Sequence, residues 1–193
     1  MNRKTMLLGM LAIVIMVVGV AAYMFAGRGP AFRGNEIQSP LPAGVIDLPD
    51  SNGNAFKLSD QRGKVVLLYF GFVNCPDECP LTMATYKQAL DLLGDSARNV
   101  QVVLVSTDPV RDTPQAMKEF LAKFNPTFVG IPGTVQQLEQ VWNEYGVTVE
   151  DGGETHSNFT YVIDPNGIQR ILFLPDTSAE DIAHDVKILL AED

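Results

Sequence analysis

The chain has 193 residues, enough for one folded domain with additional segments. Hydrophobic residues make up 46% of it and charged residues 19%, which excludes a disordered chain. All 23 acidic residues lie after Asn35, and the strongly negative charge of that part argues against nucleic-acid binding. Two cysteines allow at most one intramolecular disulfide, which excludes a disulfide-stabilised scaffold.

The N-terminal segment is strongly apolar. Residues 6–26 contain no charged residue and would span roughly 30 Å as a helix, which matches the hydrocarbon core of a bilayer. We therefore predict a transmembrane anchor in residues 1–27. Arg3 and Lys4 place its start in the cytoplasm, so the protein is predicted to cross the inner membrane once, with its domain on the periplasmic side. A cleaved signal peptide is the alternative; a lipoprotein anchor is excluded because no cysteine lies near the end of the segment.

Residues 28–43 are rich in glycine and proline and have little apolar pattern. They are predicted to form a linker that lets the domain move near the membrane surface. Residues 44–193 are predicted to form the folded domain.

Strand and helix patterns alternate in the first half of that domain. A short strand is predicted at residues 56–58, followed by a turn at 60–63. Residues 65–72 are apolar without alternation, which predicts a central strand covered on both faces. A helix at residues 79–93 and a second buried strand at 100–106 follow.

Capping residues mark the helices of the second half. Thr113 followed by Pro114 predicts a helix N-terminus. Thr134 and Gln137 predict a capping box, and Ser178 begins the last helix.

A hairpin is predicted before that last helix, because residues 158–163 and 168–174 flank an Asp-Pro-Asn-Gly turn. The element order predicts an α/β domain with a thioredoxin-like fold, in which a central mixed sheet is flanked by helices and preceded by the N-terminal transmembrane helix. Ligands of such sheets bind beyond the carboxyl ends of the strands, which is where Cys75 falls.

Both cysteines lie in the sequence GFVNCPDECPLTM, residues 71–83. If a helix begins near Cys75, the sulfurs of Cys75 and Cys79 lie on one face, one turn apart. The unpaired N–H groups of the helix N-terminus then favour the thiolate. The neighbouring prolines and acidic residues argue against a core position, so the pair is either a soft-metal site or a redox pair.

Three segments together resemble the Sco/SenC family, the thioredoxin-like copper-binding assembly factors of respiratory oxidases. They are GFVNCPDECPLTM, VSTDPVRDTP at residues 105–114, and His156 ahead of the apolar stretch 158–164. The resemblance implies a membrane-anchored copper chaperone that binds Cu(I), Cu(II) or both through Cys75, Cys79 and His156. It implies assembly of the CuA centre of cytochrome c oxidase, with the copper subunit of the oxidase or another copper-carrying protein as partner.

The residue types agree with a metal. Two thiolates and an imidazole suit Cu(I) and tolerate Cu(II), whereas structural zinc sites close with four protein ligands. Thioredoxin-type redox pairs have two intervening residues and a neighbouring cis-proline. This chain has three intervening residues, no proline between Pro132 and Pro165, and His156 near where that loop is expected.

A thiol–disulfide oxidoreductase that keeps partner cysteines reduced is the alternative, with Cys75 and Cys79 as its catalytic residues. The two hypotheses overlap, because an oxidised pair cannot bind copper. An enzyme is less favoured than a metallochaperone. A thiol peroxidase is disfavoured because no threonine closely precedes Cys75.

Five further residues have simpler interpretations. Asp108 and Arg111 are expected to cap a loop and form a local ion pair, with tuning of the site or contact with a partner as the alternative. His184 is expected to be an exposed or half-buried residue of the last helix. Asp77 and Glu78 are expected to be solvated charges or partner contacts and not ligands.

Overall fold

The computed structural model describes residues 10–11, 13–20, 31–150 and 155–192. The chain divides into two units, Met1–Ala31 and Phe32–Asp193. In the first unit, residues 10–11 and 13–20 are helical. No helix within the described ranges has the length and apolar character needed to cross a membrane. The remainder of the anchor predicted for residues 1–27 lies outside the described residues.

The second unit contains ten strands and four α-helices within the described residues. The strands are β1 Asn35–Pro42, β2 Asp47–Pro49, β3 Ala55–Lys57, β4 Val65–Gly71, β5 Val100–Ser106, β6 Val129–Ile131, β7 Val149–Glu150, β8 Thr155–His156, β9 Thr160–Ile163 and β10 Ile168–Phe173. The helices are α1 Glu78–Leu93, α2 Pro114–Ala122, α3 Val135–Glu144 and α4 Ala179–Ala191. Two 3-10 helices cover Leu58–Gln61 and Gly94–Asn99.

Six strands form one sheet in the order β1-β10-β9-β4-β5-β6. β4, β5 and β6 are parallel, whereas β1, β10, β9 and β4 pair antiparallel. β2 with β3 and β7 with β8 form two small antiparallel sheets. The predicted α/β architecture with a parallel and an antiparallel half is confirmed.

β4 lies at the centre of the sheet, and all seven of its residues are buried. Its side chains alternate between two hydrophobic clusters, as the pleat of a strand requires. One cluster contains Val65, Leu67 and Tyr69 together with residues of α1, α2 and α4. The other contains Val66, Leu68 and Phe70 together with residues of α3. The sheet is therefore covered by helices on both faces, as the absence of alternation predicted.

The predicted capping residues act as expected. The Thr113 hydroxyl accepts from the Ala116 amide, and Ser178 accepts from the Asp181 amide. Thr134 and Gln137 form the predicted capping box. The hairpin of β9 and β10 is likewise confirmed.

The structure differs from the prediction at the expected linker. Residues 35–42 form β1, which pairs with the edge of β10 through a register shift between Glu36 and Leu41. The side chains of β1 are mostly exposed, so no apolar pattern marks the strand. β1 pairs through backbone hydrogen bonds with an otherwise open sheet edge. Because backbone groups make this pairing, the side-chain pattern of the sequence does not predict it.

A buried carboxylate accepts hydrogen bonds from the backbone just before β1. Asp185 on α4 is fully buried, and its oxygens accept from the Arg33 amide at 2.9 Å and the Gly34 amide at 2.8 Å. Gly34 also lies so close to the Phe173 ring that an added Cβ would be 2.5 Å from it. The segment before β1 is therefore part of the packed domain.

We predict that Asp185→Ala lowers the free energy of unfolding by roughly 2–3 kcal/mol, because two amides lose a charged acceptor. Urea unfolding followed by the fluorescence of Trp142, the single tryptophan of the chain, measures the change. Asp181→Ala is the matched control. It removes an exposed ion pair with Arg33 on the same helix, and we expect it to cost far less. Equal losses in both variants would contradict this prediction.

Candidate functional site

The two cysteines flank the start of α1 at the carboxyl end of β4. Cys75 is half-buried in the loop after β4, and Cys79 is buried in the first turn of the helix. The amide of Cys79 donates to Cys75 Sγ at 3.4 Å. The helix begins at Glu78, three residues later than a start at Cys75. The N-cap residue, Asp77, forms no side-chain capping bond. The sulfur of Cys75 therefore supplies an acceptor for an amide at this helix N-terminus.

Close packing holds Cys79 against the end of β4. A Cβ built on Gly71 would lie 2.8 Å from Cys79 Sγ and 2.8 Å from the Tyr69 ring. The Tyr69 hydroxyl lies 3.9 Å from the same sulfur. The absence of a side chain at Gly71 lets the helix approach the strand, so the sulfur lies directly on the sheet.

Burial raises the pKa of the Cys79 thiol to about 12, although a backbone hydrogen bond from Phe72 opposes the change. The helix N-terminus was expected to favour a thiolate. For Cys79 that expectation is wrong, because the loss of solvation outweighs the favourable field of the helix. A metal ion that binds this sulfur must therefore displace its proton.

His156 approaches the cysteine region through aromatic contacts. It lies in β8 opposite Val149, and its Nδ1 is 3.1 Å from the Ser157 carbonyl oxygen. Its ring meets the ring of Tyr69 edge-to-face at 6.4 Å and that of Phe72 at 5.9 Å between centroids. His156 and Cys79 thus contact the same tyrosine.

The structure brings the two cysteines together and places His156 near them without completing a metal site. Within the described part of the chain, no three His, Cys, Asp or Glu side chains are close enough to hold a metal ion. The donor types still fit a soft metal, since they are two sulfurs and an imidazole. A three-ligand set would require these side chains to lie closer together than they do here.

The loop after β5 supports the cysteine loop. Asp108 accepts from the Arg111 amide at 3.1 Å and pairs with its guanidinium, as the sequence predicted. The Arg111 guanidinium also lies 5.9 Å from the centre of the Phe72 ring. These contacts connect the loop after β5 to the Phe72 ring, which packs against His156.

Asp112 is a site residue that the sequence did not reveal. Its buried carboxylate accepts from the Val73 amide at 3.0 Å and from the Ser106 hydroxyl at 2.7 Å. It therefore joins the cysteine loop to the end of β5. The chain has many acidic residues, and only the sharp turn of TDPVRD could have suggested that this one points inward.

The remaining candidates have other surroundings. His184 is half-buried on α4, with Nδ1 2.8 Å from Asp185 Oδ1, and stays outside the cysteine region, as expected. Asp77 is exposed. Glu78 is exposed too, and it accepts a hydrogen bond from the side chain of Asn158, a contact that the sequence did not predict.

Comparison with known proteins gives consistent matches. A family model described as SCO1/SenC matches residues 39–191. An SCO2-like protein of Rickettsia felis is 34% identical over 153 residues, which are 75% of each chain. The copper-bound structure of ScoI from Bradyrhizobium japonicum is 30% identical, with a TM-score of 0.68 over 76% of this chain and 98% of that one. Apo Sco1 from Thermus thermophilus is 31% identical, with a TM-score of 0.74 over 84% and 99% of the two chains.

The burial of Asp112 generates a pH-dependent prediction. Burial raises its pKa to about 6, against hydrogen bonds from Ser106 and Val73 that lower it. The folded state therefore binds this proton more tightly than the unfolded state, whose carboxyl has its ordinary pKa near 3.8. The contribution of Asp112 to stability is greatest below about pH 4 and declines as the pH rises to about 6.

We expect Asp112→Asn to lack this titration and to keep an acceptor for the Val73 amide. Relative to the variant, the wild type should lose about 1–3 kcal/mol of stability between pH 4 and pH 6.5. Urea unfolding of both proteins across that range measures the difference. A difference that stays constant with pH would show that Asp112 does not titrate in this window.

Proposed function

This chain belongs to the SCO1/SenC family, and we propose from that premise that it is a copper metallochaperone. In this proposal Cys75, Cys79 and His156 bind the copper, which the protein delivers to the CuA centre of cytochrome c oxidase. The observation that carries the proposal is the juxtaposition of two sulfurs at the start of α1, with His156 packed on the tyrosine that contacts one of them. The copper in the ScoI structure of Bradyrhizobium japonicum supports the choice of metal.

The cysteines would hold the ion as thiolates, and their softness favours Cu(I). The imidazole of His156 would add the nitrogen that Cu(II) prefers. Because zinc in structural sites closes with four protein ligands, a set of three leaves an open position. An open position suits a site whose cargo passes to a second protein.

The partner in this proposal is the copper subunit of the oxidase or another copper-carrying protein. The exposed carboxylates of Asp77 and Glu78 border the cysteines, and the domain as a whole is acidic. These charges favour a partner whose contact surface is basic.

Thiol–disulfide exchange is the second candidate function. Cys75 is partly accessible and Cys79 is buried behind it, which is the arrangement of an attacking thiol and a resolving thiol. His156 has no role in that chemistry. The histidine therefore separates the two functions.

We predict that His156→Ala loses Cu(II) binding and weakens Cu(I) binding, because a two-sulfur site remains. Thiol reactivity should be retained, while Cys75→Ser and Cys79→Ser should each lose copper and disulfide formation together. Anaerobic titration of the reduced protein with copper, alongside thiol counting, measures both properties. His184→Ala is the matched control and should change neither.

The cellular test uses a deletion strain grown at limiting copper and complemented with each variant, with oxidase activity as the readout. Failure of His156→Ala together with the cysteine variants supports copper delivery. If His156→Ala restores oxidase activity as well as the wild type while either cysteine variant fails, the reductase function replaces the proposal.

We also propose that residues 1–27 anchor the domain to the inner membrane, in a single pass, with the domain on the periplasmic side. The uncharged run of residues 6–26 and the basic residues before it support this topology. Membrane fractionation of cells should leave the protein in the pellet after a high-salt wash. A soluble protein whose mature N-terminus lies near Ala22 would instead establish a cleaved signal peptide.

A further inference from the structure

The side chain of Asn158 connects the strand that bears His156 with the helix that bears Cys79. Its Nδ2 donates to the carboxylate of Glu78, and its Oδ1 accepts from the Tyr69 hydroxyl. Asn158 is half-buried and lies two residues after His156. Glu78 is the residue next to Cys79, so both partners of Asn158 adjoin the cysteine site.

The chemistry of the three groups fixes the direction of these hydrogen bonds. An ionised carboxylate only accepts, so the amide nitrogen of Asn158 must face Glu78. The amide oxygen then faces Tyr69, whose hydroxyl must donate to it. All three polar groups are satisfied in one arrangement, and a flipped amide would turn its oxygen toward the Glu78 carboxylate and lose that bond.

The residue between His156 and Asn158 is held separately. The Ser157 amide donates to the Thr148 carbonyl oxygen at 3.2 Å, and the Thr148 amide donates to Ser157 Oγ at 3.3 Å. Both connections lie directly after His156, one running from Ser157 to Thr148 and the other from Asn158 to the cysteine helix.

We propose that Asn158 is a positioning residue that holds the His156 segment beside the cysteine pair. This inference rests on the proposed function, in which His156, Cys75 and Cys79 hold copper. Asn158 and His156 both contact Tyr69, whose hydroxyl lies 3.9 Å from Cys79 Sγ. A side chain that links Tyr69 to Glu78 therefore orders the imidazole with respect to the sulfur before any metal is bound.

Without the Asn158 side chain, the three candidate copper ligands are still present, but the position of His156 relative to the sulfurs is less ordered. Residues that orient metal ligands typically contribute 10–100-fold to metal affinity. We expect a loss of this size in Asn158→Ala, since the ordering of the His156 segment must then occur upon binding. The same loss is expected in Glu78→Ala, which removes the acceptor of the bond.

Conservative and combined variants identify the bond as the cause. Glu78→Gln keeps an oxygen that accepts from Asn158 and removes only the charge, so it should bind copper within about threefold of the wild type. The double variant Asn158→Ala/Glu78→Ala should be no weaker than the weaker single variant, because both remove one interaction. Asn143→Ala, at an exposed position on α3, is the matched control and should have no effect.

The first readout is the affinity of the reduced full chain for Cu(I), measured by competition with a chelator of known affinity. The second needs no metal. The chain has two histidines, so ring-labelled histidine gives two NMR signals, and His184 serves as the internal reference. The edge-to-face contacts with Tyr69 and Phe72 shift the His156 signal in the wild type, and Asn158→Ala should move it toward the position of a solvated imidazole.

The outcomes are distinct. The proposal is overturned if Asn158→Ala keeps both the wild-type copper affinity and the wild-type His156 signal, or if Glu78→Gln is as weak as Glu78→Ala. If the wild type binds no copper, or His156→Ala binds it as tightly as the wild type, the proposed function fails. The metal-free NMR signal then still decides whether Asn158 positions His156.

Discussion

The sulfur of Cys79 lies against the backbone of Gly71, where the central strand β4 ends. β4 is covered on both faces, and all seven of its residues are buried up to its end at Gly71. A glycine at this point removes the side chain that would otherwise separate α1 from the strand. The helix therefore approaches to contact distance, and the position of Cys79, of the Cys75 loop and of the Tyr69 hydroxyl all depend on that approach.

The sequence predicts the elements that create this arrangement. The sequence from Val65 to Phe72, which contains β4, has eight consecutive apolar or small residues, and such a run has few alternatives to a buried central strand. Threonine and serine mark the starts of α2, α3 and α4 because their hydroxyls satisfy otherwise unpaired amides. The spacing of the cysteines then places them together, whether the helix begins at residue 75 or 78. These features depend on neighbours in the sequence, which is why they could be predicted.

The features that the sequence did not predict depend on residues distant in the chain. β1 is defined by the open edge of β10, more than 120 residues away along the chain. Asp112 and Asn158 have no distinguishing pattern in the sequence. Their roles come from tertiary contacts, of Asp112 with Val73 and of Asn158 with Glu78. The raised pKa of Cys79 has the same origin, because burial is a tertiary property and outweighs the local effect of the helix N-terminus.

The three candidate ligands differ in how firmly the fold holds them. Cys79 is packed on the sheet, Cys75 lies in a loop whose Val73 amide is held by Asp112, and His156 lies on a two-residue strand. A carrier must bind its ion firmly and also release it to a partner. A ligand on a short strand can withdraw without disturbing the core, whereas a ligand on α1 cannot. In the proposal of copper transfer, the two cysteines therefore retain the copper, and His156 is the ligand that leaves it when the copper passes to a partner. The hydrogen bonds of Asn158 then determine how readily His156 leaves.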